Sequence, residues 1–199
     1  MDRCRTAEEQ ATRWRAAGIP PGYTISQLLY NSASGFLIVE VCGMRDHKLP
    51  SRLLARHKSA DTYEPLGCPE EGISFESPVT SENLPILVFN SMRLRRNPDG
   101  SERYKDWNGL YALNLQTMDL TLCVHPNNLP VPAPYDDRGW IAQVFGLSDD
   151  ECWAYVKVGL GRHQDESEIK NIYFDYHLAQ VSLKDGELKL ISRLDNIHF

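Results

Sequence analysis

The stretches GLYALNLQTMDLTLC (109–123) and YHLAQVSLKDGELKLI (176–191) decide the fold, because they lie over each other position by position. Leu110, Leu113, Leu115, Leu120 and Leu122 align with Leu178, Val181, Leu183, Leu188 and Leu190, and the polar turns QTMD and KDGE fall at the same place. Apolar residues alternate on both sides of each turn, as half-buried antiparallel strands require. KDGE holds the Asp-Gly pair favoured in tight hairpins; QTMD lacks that glycine. Upstream of each hairpin runs a further apolar strand, PILVFNSM at 85–92 and ECWAYVKV at 151–158. The same two-part pattern is therefore present twice. A fainter copy precedes them: GYTISQLLY (22–30), the turn signal NSASG and FLIVEVC (36–42). Repetition on this scale predicts stacked β-sheet units, each too small to bury its own apolar face.

Working outward, AEEQATRWRAA predicts one helix at 6–17, with Thr6 and Glu9 as a capping box and Gly18, Pro20 and Pro21 as its stop. Trp14 is expected to dock it on the sheets. RLLARHK at 52–58 reads equally as strand or short helix, and ISFES (73–77) as a short strand in a Ser-, Glu-, Pro- and Gly-rich connection. The proline-rich PNNLPVPAP (126–134) reads as an extended spacer between units. Beyond it, Trp140, Phe145 and Trp153 are expected to anchor the last unit's core. The predicted fold is all-β: about three antiparallel sheet units (22–68, 72–124 and 139–199) in a single β-repeat domain (22–199), preceded by one N-terminal helix within residues 1–21.

LSDDECWAYV (147–156), YHLAQVSLKDGELKLIS (176–192) and GLYALNLQTMDLTLC (109–123) carry a resemblance to TolB-type, WD-repeat-like β-propellers. Their blades pair a Ser-x-Asp-Gly turn and an apolar strand with a later strand–turn–strand hairpin. The resemblance covers two units, about half the chain, and a third unit loosely. Asp150 stands where the blade's turn glycine belongs, and the repeat interval is longer than the roughly 40–50 residues of compact blades. Closed propellers take about four to eight blades. The resemblance thus implies a partial or open propeller-like array, or one completed by a second copy of the chain, and assigns no catalytic residue.

Composition sets the remaining bounds. At 199 residues, with 42% hydrophobic and 24% charged side chains, the chain can bury a sizeable core. It has no run of eighteen apolar residues, and MDRCRTAEEQ is polar where a signal peptide needs an apolar stretch, so a cytoplasmic location without membrane insertion is expected. Cys4, Cys42, Cys68, Cys123 and Cys152 show no CxxC spacing and read as reduced core thiols. Net charge is −6, unevenly spread: 9 basic against 5 acidic residues through position 60, and 12 against 22 beyond it. Such an acid excess argues against nucleic acid as a general partner.

No catalytic pattern stands out. His47, His57, His125, His163, His177 and His198 lack HxH, HExxH and HxxxH spacing; GLG at 159–161 is no phosphate loop, and no serine sits in a GxSxG elbow. Neither a metal site nor a cofactor is expected. What remains are two long polar segments, 93–108 and 159–175, at equivalent places in the two clear units; equivalent insertions in stacked repeats build one face. Arg93, Arg95, Arg96, Arg103, Trp107, Arg162 and His163 are the candidate partner-binding residues, since arginine and aromatic side chains dominate interface energetics. The expectation is a non-catalytic protein that presents these loops to a protein partner, with a toxin-neutralising immunity protein as one form and a homodimer as a further association. The alternative is a small propeller-like hydrolase or lyase with its site at the repeat axis.

Overall fold

A computed structural model of the chain describes residues 7–43, 52–69, 73, 75–96, 103–125, 129–135, 139–163 and 172–194, with the backbone alone at 7–8, 10–11, 92–96, 103–108, 162–163 and 172–174. Among the described residues, one helix, α1 (Ala7–Ala16), precedes twelve strands. These are β1 (Tyr23–Asn31), β2 (Phe36–Gly43), β3 (Arg52–His57), β4 (Glu64–Pro65), β5 (Glu76–Thr80), β6 (Ile86–Arg96), β7 (Arg103–Asn114), β8 (Leu120–Val124), β9 (Gly139–Leu147), β10 (Trp153–His163), β11 (Ile172–Ser182) and β12 (Leu188–Arg193). They form three four-stranded antiparallel sheets, β1 to β4, β5 to β8 and β9 to β12, each with its strands in chain order. The expected all-β chain of three antiparallel sheets with one short helix is what the structure shows.

Two compact units divide the described chain. In the first, Met1–Gly67 with Glu82–Pro85, the helix packs through Trp14 on the cluster Ile19, Tyr23, Val39, Val41 and Leu54. Gly18, at φ +88°, ends it: Gly18 N–H donates to Arg15 O and Ile19 N–H to Trp14 O, the paired bonds of a Schellman cap. RLLARH is a strand, β3, with Leu53, Leu54 and Ala55 all buried.

The second unit, Cys68–Ser81 with Ile86–Phe199, holds the other two sheets packed face to face. Val88, Leu110 and Val124 from one sheet meet Ile141, Val144, Val156, Val158, Ala179 and Val181 from the other, and Leu129 of the proline-rich segment is buried among them. That segment is therefore part of the core as well as a connection. The anchoring expected of Trp140, Phe145 and Trp153 does not occur. In the β9–β10 register Trp140 lies opposite Gly159, on the face away from Val156 and Val158, while Phe145 sits in a bulge at 42% exposure. The Trp153 ring lies under the Lys189 ammonium, 3.8 Å away. Aliphatic β-branched residues, which fit the pleat of a buried sheet, fill the interface instead.

Three hairpin turns, the β1–β2 turn and the two aligned turns, share one construction. Gly35 N–H donates to Asn31 O, Met118 N–H to Asn114 O and Gly186 N–H to Ser182 O, and Gly35, Met118 and Gly186 all have positive φ. Met118, at φ +62°, thus occupies the place that glycine takes in the other two.

Candidate functional site

The central hairpin of each sheet in the second unit is longer than the strands beside it. β6 pairs β7 from Ile86 with Asn114 to Arg96 with Arg103, but β5 accompanies β6 only as far as Asn90, and β8 follows β7 only to Leu110. Past a bulge between Asn90 and Met92, the register Met92–Trp107, Arg93–Asp106, Leu94–Lys105, Arg95–Tyr104 and Arg96–Arg103 is a two-stranded ribbon, with no third strand among the described residues. In the last sheet, β10 and β11 run on to Gly161–Phe174, Arg162–Tyr173 and His163–Ile172, whereas β9 stops at Leu160 and β12 at His177. The described parts of the segments 93–108 and 159–175, expected as loops, belong to paired strands. Their backbone amides satisfy one another across the ribbon, so the polar sequence needs no apolar face to hold it.

Connectivity fixes where these arms leave the sheets. Ser81, at the end of β5, donates from Oγ to Glu151 Oε2 at 2.5 Å, and Glu151 lies in the turn before β10. The first turns of the two sheets thus meet. Each arm forms at the other end of the hairpin that follows, so both leave the unit from the ends opposite that junction.

Of the candidate residues, Arg93, Arg95, Arg96, Arg103 and Trp107 fall on the first arm and Arg162 and His163 on the second. Their backbone positions are as given; their side chains lie outside the described residues. The sequence alone did not single out a further polar group between the proline-rich segment and the last sheet. Tyr135 Oη and His177 Nε2 are 2.8 Å apart with rings edge to face, and Arg193 Nη2 donates to Asp175 Oδ1 at 3.0 Å. His177 and Asp175 share the packed face of β11, so they mark the polar end of the core. Period-two alternation hid them: both occupy positions that the pattern reserves for apolar residues.

Asp150 and Asp185 lie in turns, and Cys123 packs against the core. Hydrogen bonds from Ser148 and from the Cys152 amide hold the Asp150 carboxyl below its ordinary range, and the Ser182 side chain with the Glu187 amide does the same for Asp185. Burial pushes the Cys123 thiol up to about 11. Cys152, expected in the core, is exposed in the turn before β10. Among the described residues no group of three His, Cys, Asp or Glu side chains is placed to hold a metal ion. No helix among them is long and apolar enough to cross a membrane. Compared with known proteins, the chain matches no family model, no curated sequence and no solved structure.

Proposed function

We propose that this chain is a non-catalytic protein-binding module, a partial propeller-like array whose second and third sheets hold two-stranded arms against another protein. The observation that carries the reading is the length of the central hairpins. Each runs past its flanking strands into a ribbon, and the first concentrates Arg93, Arg95, Arg96, Arg103 and Trp107 within five paired positions. A ribbon anchored in a packed sheet presents its residues with less conformational freedom than a loop, which reduces the ordering cost of binding. The three chain-ordered, four-stranded sheets support the blade-like description, since a propeller blade has that form.

The test is affinity capture from the native host, followed by calorimetry of the captured partner against the wild type and Arg95→Ala/Arg96→Ala/Trp107→Ala. The reading expects affinity to fall by at least tenfold while the melting temperature moves by under a few degrees. Unchanged affinity would remove the arms from the interface. A captured toxin, silenced by the wild type and not by the variant, would specify the immunity role.

A further inference from the structure

The strand register of the first arm does more than place basic residues near one another. Ten paired positions, 92–96 and 103–107, hold Arg93, Arg95, Arg96, Arg103 and Lys105 against the single carboxylate of Asp106. The pairing spends that carboxylate opposite Arg93 and sets Arg96 directly opposite Arg103. Alternation then puts Arg96, Arg103 and Lys105 on one side of the ribbon, in company with Met92, Leu94 and Trp107, and with no acidic residue on that side. Like charges directly across a strand pair destabilise it. The register pair Arg96 and Arg103 is of that like-charged kind, which an anionic surface would offset. The described part of the second arm, with one cation at Arg162, does not share this charge.

We infer that the first arm is a cationic docking ribbon for an acidic patch on a protein partner; this rests on the binding function proposed above and names the chemistry of that partner. Two observations favour a protein over a nucleic acid. The cations share their side of the ribbon with Met92, Leu94 and Trp107, a mixture suited to a protein surface with carboxylates around an apolar centre. From position 61 onward the chain holds 12 basic and 22 acidic residues, and the arm's paired positions account for five of the former and one of the latter. A long polyphosphate would leave the ribbon for strongly acidic surroundings, whereas a compact acidic patch need touch the ribbon alone.

The experiment uses the full chain with two probes, fluorescent poly-L-glutamate and a 20-base-pair duplex DNA, followed by anisotropy at about 50 and 200 mM salt. Poly-L-glutamate is expected to bind at low salt, to weaken at least tenfold at high salt, and to bind more tightly than the duplex. Arg96→Glu/Arg103→Glu should lower its affinity at least tenfold. Arg13→Glu/Arg15→Glu, the same charge change on α1, should lower it less than threefold. Absence of poly-L-glutamate binding, equal losses in the two variants, or tighter binding of the duplex each overturns the inference, the last by making the ribbon a nucleic-acid element. A captured partner lost by the Arg95, Arg96 and Trp107 variant, yet bound independently of salt, would leave the binding function standing and remove only its acidic partner.

Discussion

Ser81 Oγ donates to Glu151 Oε2 across the junction of two sheets, with both residues nearly removed from solvent at 1% and 9% exposure. A second tie lies further along the same interface, where Asn90 Nδ2 donates to Ile141 O at 3.3 Å. Leaving a buried polar group without its hydrogen-bond partner costs about 1–3 kcal/mol. Ser81→Ala should therefore destabilise the chain by that amount in urea unfolding at neutral pH. A loss below about 0.5 kcal/mol, the range of an ordinary surface substitution, would show that the junction does not depend on this bond.

Met118 gives a test of opposite sign. Its backbone is left-handed, where an L side chain costs about 1–2 kcal/mol, and its counterpart in the equivalent turn of the last sheet is Gly186. Glycine returns part of that gain through the greater entropy of the unfolded chain, about 0.5–1 kcal/mol. Met118→Gly should raise stability by about 0.5 kcal/mol, a rise of one or two degrees in melting temperature for a chain of this length. Gly186→Ala should lower it, since the new Cβ meets Val124 Cγ2 at 3.2 Å as well as the wrong φ.

Two other glycines separate close approach from backbone freedom. A Cβ at Gly109 would stand 1.5 Å from Val124 O, a backbone atom of the neighbouring strand β8, while one at Gly146 would find nothing within 4 Å. Gly109→Ala must push β8 off β7 and should cost about 3 kcal/mol or more, at the upper end of overpacking effects. Gly146→Ala should be neutral or stabilising by under about 1 kcal/mol. Comparable melting temperatures for the two variants would contradict the strand spacing described.

How far the sequence disclosed this architecture follows from where alternation survives. Leu113 pairs with Leu120 as Val181 pairs with Leu188, so the aligned hairpins were legible down to the register. The first strands of the second and third sheets were less so. β5 contains Pro78 and a positive φ at Ser77, and β9 carries two bulges, so neither shows period two. The arm segments stood out as binding candidates but read as loops, because their many charged residues outweigh the alternation of Met92, Leu94 and Trp107. Alternation with the buried Ala154 and Val156 sets Trp153 on the outer face, and the Lys189 that covers its ring comes from two strands over, where no local pattern announces it.

The two described thiols at opposite extremes should differ in chemistry. Cys123 is raised to about 11 by burial, whereas Cys152 is exposed. Since the thiolate is the nucleophile, iodoacetamide at pH 8 should label Cys152 in the native chain well before Cys123, as read by peptide mass mapping. The raised value also carries a stability consequence. The folded chain favours the neutral thiol, so Cys123's contribution is complete below the unfolded value near 8.5 and is lost as pH rises toward about 11. Cys123→Ser, which keeps a neutral group throughout, should flatten that part of the alkaline stability profile; an unchanged slope would place the alkaline loss in other groups.

The arm supplies a case in which stability and binding should move apart. Arg96 stands directly opposite Arg103 at the end of the paired ribbon, and no flanking strand shares the load there. Replacing one like charge by its opposite turns a repulsive cross-strand pair into an attractive one, worth about 0.2–1 kcal/mol. Because the ribbon ends two-stranded, the gain is local: Arg103→Glu should slow hydrogen exchange at the amides of 94–96 and 103–105 severalfold while hardly moving the global melting temperature. The same substitution removes a cation from the side of the ribbon assigned to the acidic partner, so affinity should fall as the arm becomes firmer. Faster exchange in Arg103→Glu would mean that the two arginines do not repel each other, and the argument from the arm's register would lose its physical basis.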